Sequence, residues 1–181
     1  MTLRYWAAGM IAITAFCLHS AKAADLPKLL VFNTVLFDAL TTGEGNSVVS
    51  PEEKSQVERT ADVLRAKMAE TGRYQVLPAP KSGSDDIDLS CGECILKEAH
   101  AAGADFVLTS AVNRVSATVM VLTVELDDVA NQKAVSGGKV ELRGLNAEAM
   151  RGAAVYAADK YFAPAAAPSG AEKPEIGNST K

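Results

Sequence analysis

The sequence predicts an α/β (α+β) fold in a single domain, with a mixed sheet in the order β-α-β-α-β-β-β-α and helices packed on the sheet. Three observations predict it. Two short apolar runs flank a capped amphipathic helix in the first half, which is typical of a parallel β-α-β unit. Three β-rich runs then follow one another across short turns, which favours an antiparallel meander. One more helical stretch closes the pattern.

The first 23 residues have the pattern of a secretory signal peptide. Arg4 supplies the positive charge, residues 6–18 form an apolar run, and Ala-Lys-Ala at 21–23 predicts cleavage after Ala23. The apolar run is shorter than the roughly 20 residues of a membrane span. Cys17 leaves a lipoprotein open as an alternative, although the bulky Phe16 before it disfavours this reading. We therefore expect a periplasmic protein that does not span the membrane after processing.

Processing changes the charge balance. Arg4 and Lys22 leave with the signal peptide, so the 18 basic and 22 acidic residues of the full chain become 16 and 22, a net charge of −6. A chain without a basic stripe is a poor partner for nucleic acid. Residues 24–162 suit one domain of ordinary size. Residues 163–181, rich in Ala, Pro, Gly and charged residues, are predicted to be a disordered tail.

The first half of the domain is predicted as strand, helix, strand. Residues 29–32 are a continuous apolar run that suits a buried strand, and residues 33–46 are interpreted as a loop. Ser50 and Glu53 form a capping box around Pro51, so a helix is expected to begin there. Its apolar residues recur at helical spacing: Val57, Ala61, Leu64 and Met68. Gly72 is expected to end it, and residues 73–77 to form the next strand.

The second half begins with a short helix that we expect to start at Ser90, where Glu93 completes a second capping box. Strands are then predicted at 106–115, 117–126 and 133–143, with a bulge or bend at Gly137-Gly138. Asn146 is expected to cap the last helix. Met150, Ala154, Ala157 and Tyr161 share one face of it.

Cys91-Gly92-Glu93-Cys94 is the sharpest chemical signal. In an oxidising compartment the two thiols are expected to form a structural disulfide. A thiol–disulfide redox function is the alternative, since a helix N-terminus lowers a thiol pKa. A metal site is disfavoured because His100 lies about 240° further round the helix than Cys94.

Other catalytic constellations are missing from the sequence: it has no Gly-x-Ser-x-Gly elbow and no phosphate-binding glycine loop. Glu125, Asp127 and Asp128 end one strand together, and we interpret them as solvated carboxylates rather than a catalytic pair. Arg143, before the last helix, is a candidate surface contact, with a structural role at the sheet edge as the alternative. We expect no catalytic residue, metal or cofactor.

Several short segments resemble a known family. They are Cys91-Gly92-Glu93-Cys94, Gly103-Ala104-Asp105-Phe106-Val107-Leu108, Asn113-Arg114-Val115-Ser116, Glu58-Arg59, Gly72-Arg73-Tyr74-Gln75-Val76 and Arg143-Gly144. The chain resembles, over roughly residues 28–162, a family of secreted proteobacterial proteins known only as a domain of unknown function. That family is related in layout to the TolB N-terminal domain and to CsgG-like envelope proteins.

The resemblance implies a non-enzymatic binding or accessory module that makes protein–protein contacts in the cell envelope. It also implies a role beside periplasmic quinoprotein alcohol dehydrogenases. The chain departs from the family pattern at Leu145, where asparagine is common, and at Met150, where tryptophan is common. Arg143 and Met150 are therefore candidate partner contacts whose role this departure puts in question. A thiol–disulfide protein using Cys91 and Cys94 and a small-ligand carrier are the alternative functions.

Overall fold

The computed structural model describes residues 26–38, 50–79, 89 and 91–162. The predicted signal peptide, the predicted C-terminal tail and the expected helix cap at Ser90 lie outside the described residues. The strands are β1 (Lys28–Val31), β2 (Val35–Asp38), β3 (Gln75–Val76), β4 (Phe106–Arg114), β5 (Val119–Asp128) and β6 (Lys133–Arg143). The helices are α1 (Pro51–Glu70), α2 (Gly92–Ala101) and α3 (Ala147–Ala157), and α3 continues into a π-helical turn, Ala158–Phe162.

The sheet runs in the order β3-β1-β4-β5-β6, with β2 paired to β4 as well. β1 is parallel to both β3 and β4, whereas β4, β5 and β6 are antiparallel neighbours. The predicted α/β fold with one mixed sheet and helices packed on it is thereby confirmed. The crossover through α1 gives the parallel pairing of β1 and β3, and the short turns give the meander.

The strand β2 was not expected, because residues 33–46 were interpreted as a loop. β1 and β2 both pair with β4, where Val31 faces Leu108 and Val35 faces Ala111. The chain therefore advances four residues from Val31 to Val35 while β4 advances three, and the extra residue makes a bulge around Asn33. The Arg65 guanidinium donates to the carbonyl of Val31 at 3.0 Å and also to Asn33 Oδ1. A side chain from a distant helix stabilises this break, so the local sequence gives little sign of it.

The caps of α1 and α3 follow the predictions. Ser50 Oγ accepts the Glu53 amide at 3.2 Å, and Glu53 Oε2 accepts the Ser50 amide at 2.9 Å. Asn146 Oδ1 accepts the Ala149 amide at 2.9 Å. Gly72 has a φ of 63°, the left-handed conformation that favours glycine after a helix. α2 differs, because its N-cap is Cys91 rather than Ser90.

The predicted bend at Gly137-Gly138 was wrong in position. The register between β5 and β6 shifts at Leu126/Asp127, which leaves Val135 as the extra residue, while both glycines stay in register. The glycines have another role. A Cβ on Gly138 would lie 2.2 Å from the Tyr161 ring, so the missing side chain lets this ring lie flat on β6.

The two faces of the sheet are covered differently. One face, which we call the closed face, meets α1, α3 and the π-helical turn. Its core includes Leu108, Val112, Met120, Leu122, Val124, Met150 and Phe162. Within residues 26–38, 50–79, 89 and 91–162, the opposite face is covered by α2 at one end, where Ile95 and Ala99 pack against Leu30, Phe32 and Val107.

Candidate functional site

The half of the second face that lies beyond α2 carries apolar side chains on which none of the described helices packs. We call it the open face and define it by Val35, Phe37, Ala111, Val115, Val119 and Val121. On β4 and β5 buried residues alternate with half-buried ones, as expected for strands that bury one face. Phe37 is 43% exposed and Val115 57% exposed. In the strand register these apolar side chains flank the polar Asn113 and Thr123 on the same face of the sheet.

The strand register fixes how these residues meet. One row across β2, β4, β5 and β6 consists of Phe37, Asn113, Val121 and Glu141. Val35, Ala111, Thr123 and Lys139 make the next row. Because row partners project to the same side of a sheet, β2 extends the apolar surface by one strand. The contribution of β2 was not expected from the sequence, because residues 33–46 were interpreted as a loop.

Arg143 lies at the edge of the open face. It pairs with Val119 in the register of β5 and β6, and its side chain is exposed. Lys139 and Glu141 project from β6 on the same side. The rim along this strand therefore offers two positive charges and one negative charge around an apolar centre, which is the common arrangement of a protein interface.

Met150, the second candidate contact, does not lie on this surface. Its side chain is 2% exposed and belongs to the core beneath α3. The sequence had already placed Met150 on the apolar stripe of the last helix, and that stripe packs against the closed face. The structure thus separates Met150 from Arg143, and of these two candidates Arg143 is the one on the surface.

The two predicted cysteines are joined, as expected, in a Cys91–Cys94 disulfide with Cα atoms 5.3 Å apart. It lies at the start of α2, beside a groove of about 300 Å³ between this helix and the sheet. The groove is lined by Leu89, Gly92, Ile95, Leu96, Thr109, Glu125, Asp127 and Gln132. The disulfide and the open face are thus two distinct features on the same side of the sheet.

Carboxylates behave differently on the two sides of the sheet. In the groove, burial raises the pKa of Asp127, and the neighbouring Glu125 raises it further. On the closed side, the backbone amide of Ser50 lowers the pKa of Glu53, and Arg114 adds to this effect at 2.9 Å. Asp128 is bonded to Asn131 in the β5–β6 turn, which lowers its pKa. None of these environments brings a carboxylate to a histidine or cysteine.

Within the ranges that the structure describes, no three His, Cys, Asp or Glu side chains converge as metal ligands. His100 is exposed near the end of α2, away from the two cysteines. None of the helices in the same ranges combines the length and the apolar character that a bilayer crossing requires.

The fold and the open face define a class: a small α/β domain whose sheet is covered fully on one side and partly on the other. The chain belongs to the DUF3280 family, described as "Protein of unknown function (DUF2380)", whose model matches residues 27–162. Membership of a family of unknown function, expected from the sequence, is confirmed. No curated protein matches the chain.

Among solved structures, the chain is similar to a PelC dodecamer from Paraburkholderia phytofirmans, at 16% identity and a TM-score of 0.48, over 74% of this chain and 86% of that one. It is similar to the LpoB C-terminal domain from Salmonella enterica, at 16% identity and a TM-score of 0.46, over 68% and 88%. It is also similar to TolB from Acinetobacter baumannii, at 15% identity and a TM-score of 0.42, over 75% of this chain and 27% of that one.

Proposed function

We propose that this protein is an accessory module of the bacterial periplasm whose open face binds an envelope protein without catalysing a reaction. The observation that carries the proposal is the pair of apolar side chains Phe37 and Val121, one on either side of Asn113 in the strand register, on a half of the sheet that no helix of the described ranges covers. Exposed apolar surface costs free energy in water, and a protein partner removes that cost. The predicted signal peptide supplies the compartment.

The chemistry of the surface describes the partner. An apolar patch would cover Phe37, Val115 and Val121, and carboxylates flanking it would pair with Arg143 and Lys139 on the rim. Such rim charges set orientation and association rate more than affinity. The family resemblance names one specific candidate, a periplasmic quinoprotein alcohol dehydrogenase system, and we propose it as the first partner to test.

The proposal is tested with a photoreactive residue placed at Val115 or at Val135 in the exported protein. These valines have matched exposures, 57% and 56%. Val115 directly follows β4 and lies near the start of β5, whereas Val135 belongs to β6 and lies near the end of β5. We expect crosslinking at Val115 to give one adduct that mass spectrometry identifies as another exported protein. Crosslinking at Val135 should not give that adduct.

A charge reversal provides the second control. Arg143→Glu should reduce the Val115 adduct at least about fivefold, since it repels the partner's rim carboxylates. Arg59→Glu, an equally exposed arginine position on α1, should leave it unchanged. An adduct with a second copy of this chain, or equal adducts from both valines, would overturn the proposal.

A further inference from the structure

The Cys91–Cys94 disulfide lies on the surface and links two residues of the same helical turn. Cys91 is the half-buried N-cap of α2 and Cys94 is exposed two residues inside the helix. The bond joins no two separate elements of the fold. Closing so small a ring stabilises a protein by only about 2 kcal/mol on the chain-entropy model.

The position of α2 does not depend on this bond. Ile95 and Ala99 anchor the helix against β1 and β4, at 8% and 0% exposure, in a cluster with Phe32 and Val107. These contacts remain when the disulfide is reduced. Reduced and oxidised forms should therefore share one fold, which is a requirement for a disulfide that opens and closes repeatedly.

The two sulfur atoms have unequal environments. Cys91 Sγ accepts the backbone amide of Cys94 at 3.2 Å and lies at the positive end of the α2 dipole. Both interactions stabilise a thiolate on Cys91. The carboxylate of Glu93 opposes this weakly, because its side chain is exposed and its charge is screened by salt. Cys94, in contrast, is the more exposed residue of the two.

We propose that Cys91–Cys94 is a thiol–disulfide exchange site that oxidises exposed dithiols of exported polypeptides. A substrate thiolate attacks Cys94 Sγ, the Cys91–Cys94 bond breaks, and its electron pair leaves on Cys91 as the stabilised thiolate. The second substrate thiolate then attacks the substrate sulfur of the mixed disulfide and releases Cys94. The substrate loses two electrons and two protons and becomes a disulfide, and the two cysteines become thiols.

The direction of transfer follows from the stabilised leaving group. A disulfide whose reduced form is stabilised is a stronger oxidant. The groove that begins at Gly92 offers apolar contacts from Leu89 and Leu96 and polar ones from Thr109. This lining suits a segment of polypeptide chain that carries the reacting thiols.

The first test compares single-cysteine variants of the processed protein. Cys94→Ser leaves Cys91 to be titrated, and Cys91→Ser leaves Cys94. We expect the pH midpoint of iodoacetamide alkylation to be at least about one unit lower for Cys91 than for Cys94. Equal midpoints would overturn the proposal.

The second test measures turnover with reduced ribonuclease A as the dithiol probe and glutathione disulfide as the terminal oxidant. The wild-type protein should accelerate loss of probe thiols, and Cys91→Ser should accumulate a mixed disulfide on Cys94 more than Cys94→Ser does on Cys91. Circular dichroism of the reduced protein should match that of the oxidised protein. No acceleration, or unfolding upon reduction, would show that the bond is structural. Neither result bears on binding at the open face.

Discussion

The two faces of the sheet differ both in their side chains and in the helices packed on them. On β5, Val124 points to the closed face and is 1% exposed, whereas Val121 points to the open face and is half-buried. The described helices α1 and α3 pack over the closed face, whereas on the open face Val121 lies beside the polar Asn113. Apolar character in a strand therefore indicates that a face is to be covered, and the rest of the fold decides whether this chain or another molecule covers it.

The largest expected contrast is between those two valines. Val124→Ala should lower the free energy of unfolding by about 2–3 kcal/mol, because it removes buried methyl groups and leaves a cavity. Val121→Ala should cost less than about 1 kcal/mol in the isolated protein. Urea denaturation of both variants measures the difference. Equal losses would mean that the open face is covered in the free protein.

The second contrast concerns β6 and its glycines. Gly138→Ala should cost about 1–3 kcal/mol, because the new methyl group collides with the Tyr161 ring, and the cost should largely vanish in a Tyr161→Ala background. Gly137→Ala is the matched control. Its Cβ would lie 2.6 Å from the backbone oxygen of Val124, so its cost should persist in both backgrounds. Thermal unfolding of the double-mutant cycle separates the two, and a persistent Gly138→Ala cost would contradict the contact.

The third contrast uses pH on the closed side. Glu53 has a lowered pKa in the folded protein, so its ionised form stabilises the fold above the unfolded-state pKa of about 4.3 and this contribution is lost as pH falls through the folded value. Glu53→Gln should therefore cost about 1 kcal/mol at pH 7 and much less near pH 3. Urea midpoints at the two pH values test this, with Glu58→Gln on the exposed side of α1 as the control. A penalty independent of pH would point to lost capping rather than lost charge.

The smallest contrast concerns Asp127, whose pKa shift has the opposite sign to that of Glu53. Asp127 has a raised pKa, so the group favours folding below its unfolded-state pKa of about 3.9 and loses this advantage as pH rises through the folded value. Asp127→Asn should therefore stabilise the protein slightly at pH 7 and not at pH 3. Asp128→Asn is the control, because Asp128 has a lowered pKa and bonds Asn131. A loss of stability in Asp127→Asn at pH 7 would show that the groove favours the carboxylate.

Much of the fold was accessible from local sequence. The capping box at Ser50, the left-handed Gly72 and the Asn146 cap were predicted because each involves residues within a few positions of one another. The meander of β4, β5 and β6 was predicted for the same reason. Helix ends and short turns are local structures, and their stability depends on residues adjacent in the sequence.

Two of the misplaced features depend on contacts between distant residues. β2 forms because Arg65, 34 residues after Val31, satisfies the backbone at the bulge. Gly138 is required by a ring 23 residues away, on the π-helical turn. The candidate site followed the same division: the cysteine pair was visible in the sequence, whereas the open face was not.

The sequence by itself determined the class of fold, the helix caps, the disulfide and the two candidate contacts Arg143 and Met150. Tertiary structure decided that Met150 is buried and Arg143 exposed, that β2 adds a strand to the sheet, and that no helix of the described residues packs on one half of the sheet. The physical reason is that the hydrophobic contribution depends on how much apolar area a covering helix or strand removes from water. The residues of the covered strand do not specify which element that will be. The periodicity of a strand indicates which of its faces is apolar, and packing alone decides which apolar face stays exposed.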